Sequence, residues 1–316
     1  MKVGVVKINY MKLVYKILLA IILPTIIISL IFILVIRNNL FNEVESRFFN
    51  SIEKSTQDYS SLLEVKLSSI SNIANSHFIN HLKNIDNLTE EDVFKILENS
   101  LDNDTLIYGA SVKFDAAFNG NLRASLLYAY RDKGSYNRIY LKNNTTKYNN
   151  YFSNSFDWWT IPKNTGKDLW TSPYFDEGVG NSLMITYAHP FYNNNTFNGI
   201  TSIDIRLKDI TKLLLINEKS IDGQYDPNLF ILNTTDSVII YSENKERIGN
   251  FAFPQNQIPE NSINIQYNFL DSIFSYKNKT GFIKGEYSNQ TYFAFYSRIK
   301  HTNWLILIIL PLQLQY

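Results

Sequence analysis

The residues best suited to hold another molecule are concentrated between positions 151 and 204. This stretch carries few charges, a Pro-Tyr-Phe-Asp sequence at 173–176 and three of the four tryptophans of the chain. The three are Trp158, Trp159 and Trp170. Aromatic side chains at this density either fill a hydrophobic core or line a binding pocket, and the residues alone leave both readings open.

No catalytic motif accompanies these rings. The four histidines fall in unrelated elements, and His77 and His81 share a helix spacing without the acidic neighbour of the HExxH zinc motif. No Gly-x-Ser-x-Gly sequence or acid–base carboxylate pair is present. The loop 177–180 is followed by a predicted strand, whereas a phosphate-binding loop is followed by a helix. We therefore predict a protein that is not an enzyme in this chain and that needs no metal or cofactor.

Composition excludes further classes of protein. The 30 basic and 29 acidic residues give a net charge of +1, and no long run of either sign predicts a nucleic-acid partner. The chain has no cysteine, so disulfides and thiolate ligands are excluded.

The twenty uncharged residues from Ile17 to Ile36 predict a transmembrane helix. A helix of that length spans the hydrocarbon layer of about 30 Å. Lysines precede the segment, whereas Glu43 and Glu45 follow it. This charge difference predicts that the N-terminus is cytoplasmic, that the helix crosses the cell (inner) membrane and that the bulk of the chain is extracytoplasmic. A cleaved signal peptide is the alternative, but the apolar run is longer than such peptides carry.

Apolar residues recur at helical spacing from Leu40 to Ile79 without Pro or Gly, which predicts one long helix beyond the membrane. A second helix is predicted at 89–101, begun by Thr89, and a third at 207–216.

Between and after these helices, β-branched and aromatic enrichment separated by Asn, Asp and Gly clusters predicts antiparallel strands. The predicted strands are 106–114, 122–130, 138–141, 183–192, 197–205, 228–233, 237–242, 263–267, 280–287, 290–298 and 303–310. The Gly/Asp/Pro-containing stretch at 222–227 predicts a boundary between two lobes.

This pattern predicts an α+β fold in five parts. They are a cytoplasmic tail (1–16), a transmembrane helix (17–36), the long helix with a first sheet module (38–221), a second sheet module (222–312), and an apolar segment (304–316) that could begin a truncated second span.

The order of residues in these parts resembles the double Cache domains, the ligand-sensing domains of bacterial transmembrane receptors. The residues that carry the resemblance in the first module are Trp158-Trp159, Gly166, Trp170, Pro173 to Asp176, Thr186-Tyr187, Pro190, Gly199 and Ile203 to Ile205. Those of the second are Phe230 to Asn233, Asp236, Ile248-Gly249, Arg298 to Trp304 and Leu310-Pro311. The resemblance implies two PAS-like antiparallel-sheet modules on a long helix, a homodimer formed through that helix, and an effector such as a serine phosphatase or histidine kinase beyond residue 316.

In the amino-acid-sensing members of that family, the first module binds its ligand through a Tyr, an Arg five residues later, a Trp and an aromatic residue, a Tyr and an Asp. The resemblance assigns these positions to Tyr151, Phe156, Trp158, Trp159, Tyr174 and Asp204. Phe156 stands where the Arg would be, and a phenyl ring cannot hold a carboxylate as a guanidinium does.

An amine could still use Asp204 for its charge and the rings of Tyr151, Trp158 and Tyr174 for cation–π contact. Arg206, Arg123 or Arg138 would have to replace the missing cation if the ligand carries a carboxylate. Asp204 capping a helix, Tyr174 and Asp176 forming a turn, and Trp159 filling a core are the structural alternatives.

We therefore predict a membrane-embedded sensor of a small molecule, an amine, amino acid or other small organic compound, in signal transduction such as chemotaxis. The alternative from another class is a membrane-anchored envelope protein of binding or adhesion without signalling output.

Overall fold

The computed structural model describes residues 3–81, 87–142, 151, 156–177, 180–193, 195–215, 228–242, 244, 247–248, 273, 278–287 and 290–311. The chain forms two compact units, Met1–Ile52 and Glu53–Tyr316, and helix α1 (Val3–His81) contributes to both. The predicted lobe boundary at 222–227 and the predicted strand at 263–267 lie outside the described residues.

The first unit consists of the N-terminal part of α1. Its apolar side chains from Leu18 to Ile36 are exposed, and the described part of the helix is long and apolar enough to cross a membrane. Pro24 lies within this segment, where the hydroxyl of Thr25 donates to the carbonyls of Ile21 and Ile22. Water cannot solvate a helix backbone in hydrocarbon, so such local bonds suit this environment.

The second unit begins with the remainder of α1, whose apolar stripe is buried. Tyr59, Leu63, Leu67, Ile70 and Ala74 follow each other at spacings of three and four residues and are almost inaccessible. This confirms the amphipathic helix predicted for this part of the chain.

Helix α2 (Glu90–Asn103) begins where predicted. The Thr89 hydroxyl accepts from the backbone N–H of Asp92, and the Asp92 carboxylate accepts from the backbone N–H of Thr89. These reciprocal bonds satisfy backbone donors at the helix start.

The first sheet has seven strands within the described residues, in the order β3-β2-β1-β7-β6-β4, with β5 also paired to β6. Their bounds are β1 Gly109–Phe114, β2 Ser125–Asp132, β3 Ser135–Lys142, β4 Leu169–Trp170, β5 Tyr174–Phe175, β6 Leu183–Asn193 and β7 Thr196–Arg206. Helix α3 (Asp157–Thr165), which was not predicted, packs against β6 and β7, and α4 (Leu207–Leu215) follows β7.

The second sheet has the order β10-β11-β12-β8-β9. Its strands are β8 Asn228–Asn233, β9 Ile239–Ser242, β10 Thr280–Tyr287, β11 Gln290–Arg298 and β12 Trp304–Pro311. Every pairing in both sheets is antiparallel, so the predicted α+β fold with two antiparallel-sheet modules is confirmed.

Strand β12 occupies the beginning of the segment that was predicted as the start of a second membrane span. Residues Trp304–Leu310 are buried between β8 and β11. A membrane segment of the kind predicted to start at Trp304 would therefore have to start after Pro311, and residues 312–316 lie outside the described part of the chain.

Candidate functional site

The predicted site residues lie on one face of the first sheet or pack against it. Side chains alternate between the two faces of a strand, so Ile200 and Asp204 on β7 share a face with Thr186 and Ala188 on β6. This face packs against α3 in a cluster that also contains Leu126, Tyr128, Leu141, Tyr151, Trp158 and Trp159.

Asp204 lies at the acidic end of this face and is only 5% exposed. The Thr186 hydroxyl donates to its carboxylate at 2.6 Å, and the Thr186 oxygen lies 2.7 Å from the Tyr174 hydroxyl. Thr186 gives its one proton to Asp204, so Tyr174 must be the donor in the second bond. The chain of bonds from Tyr174 through Thr186 therefore ends on the Asp204 carboxylate.

A second carboxylate, Asp176, is buried nearby with 6% exposure. It accepts hydrogen bonds from the Tyr151 hydroxyl and from the backbone N–H of Gly180, the latter at 2.6 Å. Asp176 therefore fixes the position of the Tyr151 ring. The predicted site residues Tyr151 and Tyr174 are thus each connected to a buried acid, Tyr151 directly and Tyr174 through Thr186.

Burial, opposed by the Thr186 hydrogen bond and assisted by the negative charge of Asp176, raises the pKa of Asp204 to about 7. Removing a carboxylate from water favours its neutral form, and a like charge nearby adds to the effect. A cation placed beside Asp204 would oppose both effects and favour the ionised carboxylate.

The Tyr128 hydroxyl is an unsatisfied group in this site. Tyr128 is 4% exposed and its oxygen makes no hydrogen bond with the described residues, although it is close enough to Asp204 to lower the pKa of that carboxyl. Buried hydroxyls nearly always have a partner, so this one is suited to a molecule that enters the site.

Aromatic rings form the other wall of the site. The ring of Phe156 stacks at 5.4 Å on Tyr151 and at 5.9 Å on Trp158, and Trp159 meets Trp158 edge-on at 6.3 Å. Helix α3 positions the two tryptophans and ends at Gly166, whose positive φ of 68° suits the left-handed residue that closes a helix. Phe156, half-buried, therefore extends the ring wall.

A buried lysine that we did not predict belongs to the same face. Lys113 on β1 is 3% exposed, its ammonium donates to the Tyr151 carbonyl at 2.7 Å, and it lies 3.8 Å from the Trp159 ring centroid. Burial, together with the smaller effect of the positive charge of Lys163 and against the opposing effect of Asp115, lowers its pKa to about 7. Trp159 is thus a contact of this ammonium as well as a core residue.

The three arginines considered as substitute cations have other partners. Arg206 pairs with Asp209 at 2.7 Å and lies over the Tyr108 ring, and Arg123 donates to the Ala116 carbonyl. Arg138 binds the carboxylates of Glu91 and Glu98. Each of these bonds holds a helix or loop of the fold itself.

Among the described residues, no group of three His, Asp or Glu side chains is arranged to hold a metal ion. The site therefore offers two carboxylates, an ammonium, hydroxyl groups and rings, which are the means of binding a small molecule.

Part of the chain matches a known family of sensor domains. Residues 93–212 match the family model described as "Methyl-accepting chemotaxis protein-like, first PDC sensor domain". No curated protein matches the chain.

Solved sensor domains share the fold over most of the chain. The extracellular domain of a protein described as a histidine kinase, soHK1S-Z6, superposes with a TM-score of 0.64 at 22% identity, covering 86% of this chain and 96% of that one. The ligand-binding domain of the Campylobacter jejuni chemoreceptor Tlp3, in complex with L-valine, gives a TM-score of 0.53 at 16% identity, covering 84% and 95%. The ligand-binding domain of Mlp24, with asparagine, gives a TM-score of 0.54 at 17% identity, covering 85% of this chain and 94% of that one. The double Cache sensor fold predicted from the sequence is therefore confirmed.

Proposed function

We propose that the chain is the extracytoplasmic sensor part of a membrane signal-transduction receptor, and that its first module binds a small organic molecule through an ammonium group. The observation that carries this proposal is the buried pair of carboxylates, Asp204 and Asp176, beside the rings of Tyr151, Trp158 and Tyr174. The adhesion alternative gains no support from the comparisons, since the similar proteins are sensor domains.

The charges of the site favour a cation at its acidic end. Burying two carboxylates close together is unfavourable unless one of them is protonated or a positive group compensates them. An ammonium has three donors, which match the Asp204 carboxylate and the unsatisfied Tyr128 oxygen, and its charge is attracted to ring faces. Valine and asparagine, which Tlp3 and Mlp24 hold, both carry an ammonium group.

The membrane arrangement is part of the proposal. The lysines before residue 17 would lie in the cytoplasm, the apolar part of α1 would cross the inner membrane, and two copies would pair through the long helix. Ligand binding signals if the ligand prefers one of two arrangements of the sensor, because it then shifts their populations.

Titration calorimetry on the full chain in lipid nanodiscs tests the binding step. Butylamine, amino acids and simple carboxylates serve as probes, and we expect the amine-bearing compounds to bind and the carboxylates alone not to bind. Asp204→Asn should abolish amine binding, whereas Asp132→Asn, which changes an exposed acid at the β2–β3 turn, should retain it. Binding that is unaffected by Asp204→Asn would refute the proposal.

A further inference from the structure

Lys113 and Asp204 lie at opposite ends of the same buried face. In the β1–β7 pair, Gly109 is opposite Asp204 and Lys113 is opposite Ile200. Four residues of strand separate the two levels, which corresponds to about 13 Å of backbone. The face therefore has an acidic end and a basic end.

Polar side chains lie on this face between the two ends. Ser111 and Ser202 face each other across the same strand pair, and their hydroxyl oxygens are 2.6 Å apart. One hydroxyl of such a pair keeps lone pairs, and either can turn its proton to another acceptor. An elongated polar molecule could therefore lie along the strands between the two charged ends.

The ring wall connects the two ends as well. Tyr151 binds Asp176 through its hydroxyl and accepts from the Lys113 ammonium through its carbonyl, and the same ammonium lies 5.6 Å from the Trp158 ring centroid. A buried ammonium is stabilised by a nearby anion, which favours its charged form. Lys113 thus offers the positive charge for a ligand carboxylate that Phe156 cannot supply.

Resting on the proposed function, we propose that Lys113 binds a carboxylate of the ligand, and that the ligand is a zwitterion whose ammonium and carboxylate are farther apart than in an α-amino acid. An ω-amino acid with an extended chain has this form. In an α-amino acid the two charged groups are attached to one carbon, which is too short a separation for the two ends of this face.

Paired probes measure what the carboxylate contributes. In the full chain in nanodiscs, the affinity of 5-aminopentanoate is compared with that of butylamine, and the affinity of glycine with that of methylamine. A charge-assisted hydrogen bond makes the first ratio about tenfold to a hundredfold, while the second stays near one. Equal affinities for 5-aminopentanoate and butylamine would overturn the proposal.

Substitutions test whether Lys113 is the cause. Lys113→Met keeps the aliphatic stem, and we expect it to bring the ratio for the long pair close to one. Lys163→Met is the matched control, because that lysine lies 5.2 Å from the same Trp159 ring and pairs with Asp115. It should leave the ratio high. A ratio that stays high in Lys113→Met would contradict the assignment.

A fold-preserving variant covers the case in which Lys113→Met does not fold, as judged by tryptophan fluorescence. Lys113→Arg retains the charge on a longer side chain, so the best ligand should become shorter, such as 4-aminobutanoate. An unchanged length preference would argue against contact with Lys113. If no amine binds at all, the proposed function fails and this inference with it; if amines bind but the carboxylate adds nothing, this inference alone fails.

Discussion

The Tyr128 hydroxyl lies over Gly109, where even a Cβ atom would come within 2.2 Å of the Tyr128 oxygen. Gly109 is also the residue opposite Asp204 in the neighbouring strand. The absence of a side chain at position 109 therefore lets the tyrosine hydroxyl approach the buried carboxylate without bonding to it. Gly109, which has no Cβ atom, thus leaves room for a polar group on this face of the sheet.

Gly109→Ala should displace the Tyr128 ring and weaken amine binding about tenfold, because a hydroxyl that contacts the ligand is lost. Overpacking should also lower the free energy of unfolding by about 1–3 kcal/mol. Calorimetry and urea unfolding measure the two effects. Gly281→Ala is the control, since a Cβ there would meet the Tyr296 hydroxyl at 2.9 Å in the second sheet. It should lower stability without changing affinity; equal affinity in Gly109→Ala would contradict the role of Tyr128.

The stability of the ligand-free protein should depend on Asp204 between about pH 4 and pH 7. The pKa of this carboxyl is raised from 3.8 to about 7, so the folded state keeps a proton that the unfolded chain has lost. Its contribution to the free energy of unfolding is full below pH 4 and is lost as the pH rises to 7, at up to about 1.4 kcal/mol per pH unit.

Asp204→Asn removes this titration. Urea unfolding of both proteins at several pH values should show the wild type losing stability relative to the variant from pH 4 to pH 7. Parallel pH profiles would mean that the carboxyl is not protonated in the folded protein.

Ser172 should be coupled energetically to Asp236. The Ser172 hydroxyl donates to the Asp236 carboxylate and accepts from the Asn233 side-chain amide at 2.7 Å. Ser172→Ala should lower the free energy of unfolding by about 1–2 kcal/mol, and a double-mutant cycle with Asp236→Ala should show a coupling of about 1 kcal/mol. Ser135→Ala, in an exposed turn, should have almost no effect. Additive losses in the cycle would exclude the coupling.

Phe156→Arg should create affinity for α-amino acids. The resemblance implies a guanidinium at this position, and here a half-buried ring stacks between Tyr151 and Trp158. An arginine there can hold the ligand carboxylate close to the acidic end. The variant should therefore bind alanine at least about tenfold more tightly than the wild type does. Phe156→Leu removes the ring without adding charge and should give no such gain. If the two variants bind alanine alike, the position does not contact the carboxylate.

Sequence patterns predicted the long elements well because burial imposes a period on them. The buried residues from Tyr59 to Ala74 repeat at helical spacing, and α2 is marked by the Thr89 cap. Helix α3 was missed because it is short and contains Pro162, and only Gly166 marked its end. Strands β4 and β5 have two residues each, which is too few to show any alternation.

The predicted site residues come together, although the role of each as a ligand contact stays a prediction. Asp176 was treated as a turn residue, because its burial depends on Tyr151, which lies 25 positions away in the chain. Lys113 was overlooked, yet a signal existed: it is a charge in the middle of the strand GASVKF, whose residues are all buried. A lysine at such a position must have an unusual environment.

The segment from Trp170 to Asp176 also has a consequence for how this protein can change. Its first half contacts the second sheet, through the packing of Trp170 against Trp304 at 5.9 Å and the bonds of Ser172, while Tyr174 and Asp176 form part of the acidic end of the first sheet. Only Pro173 separates Ser172 from Tyr174, so neither half can shift by much alone. Substitutions that adjust ligand preference here must also preserve the joint between the modules.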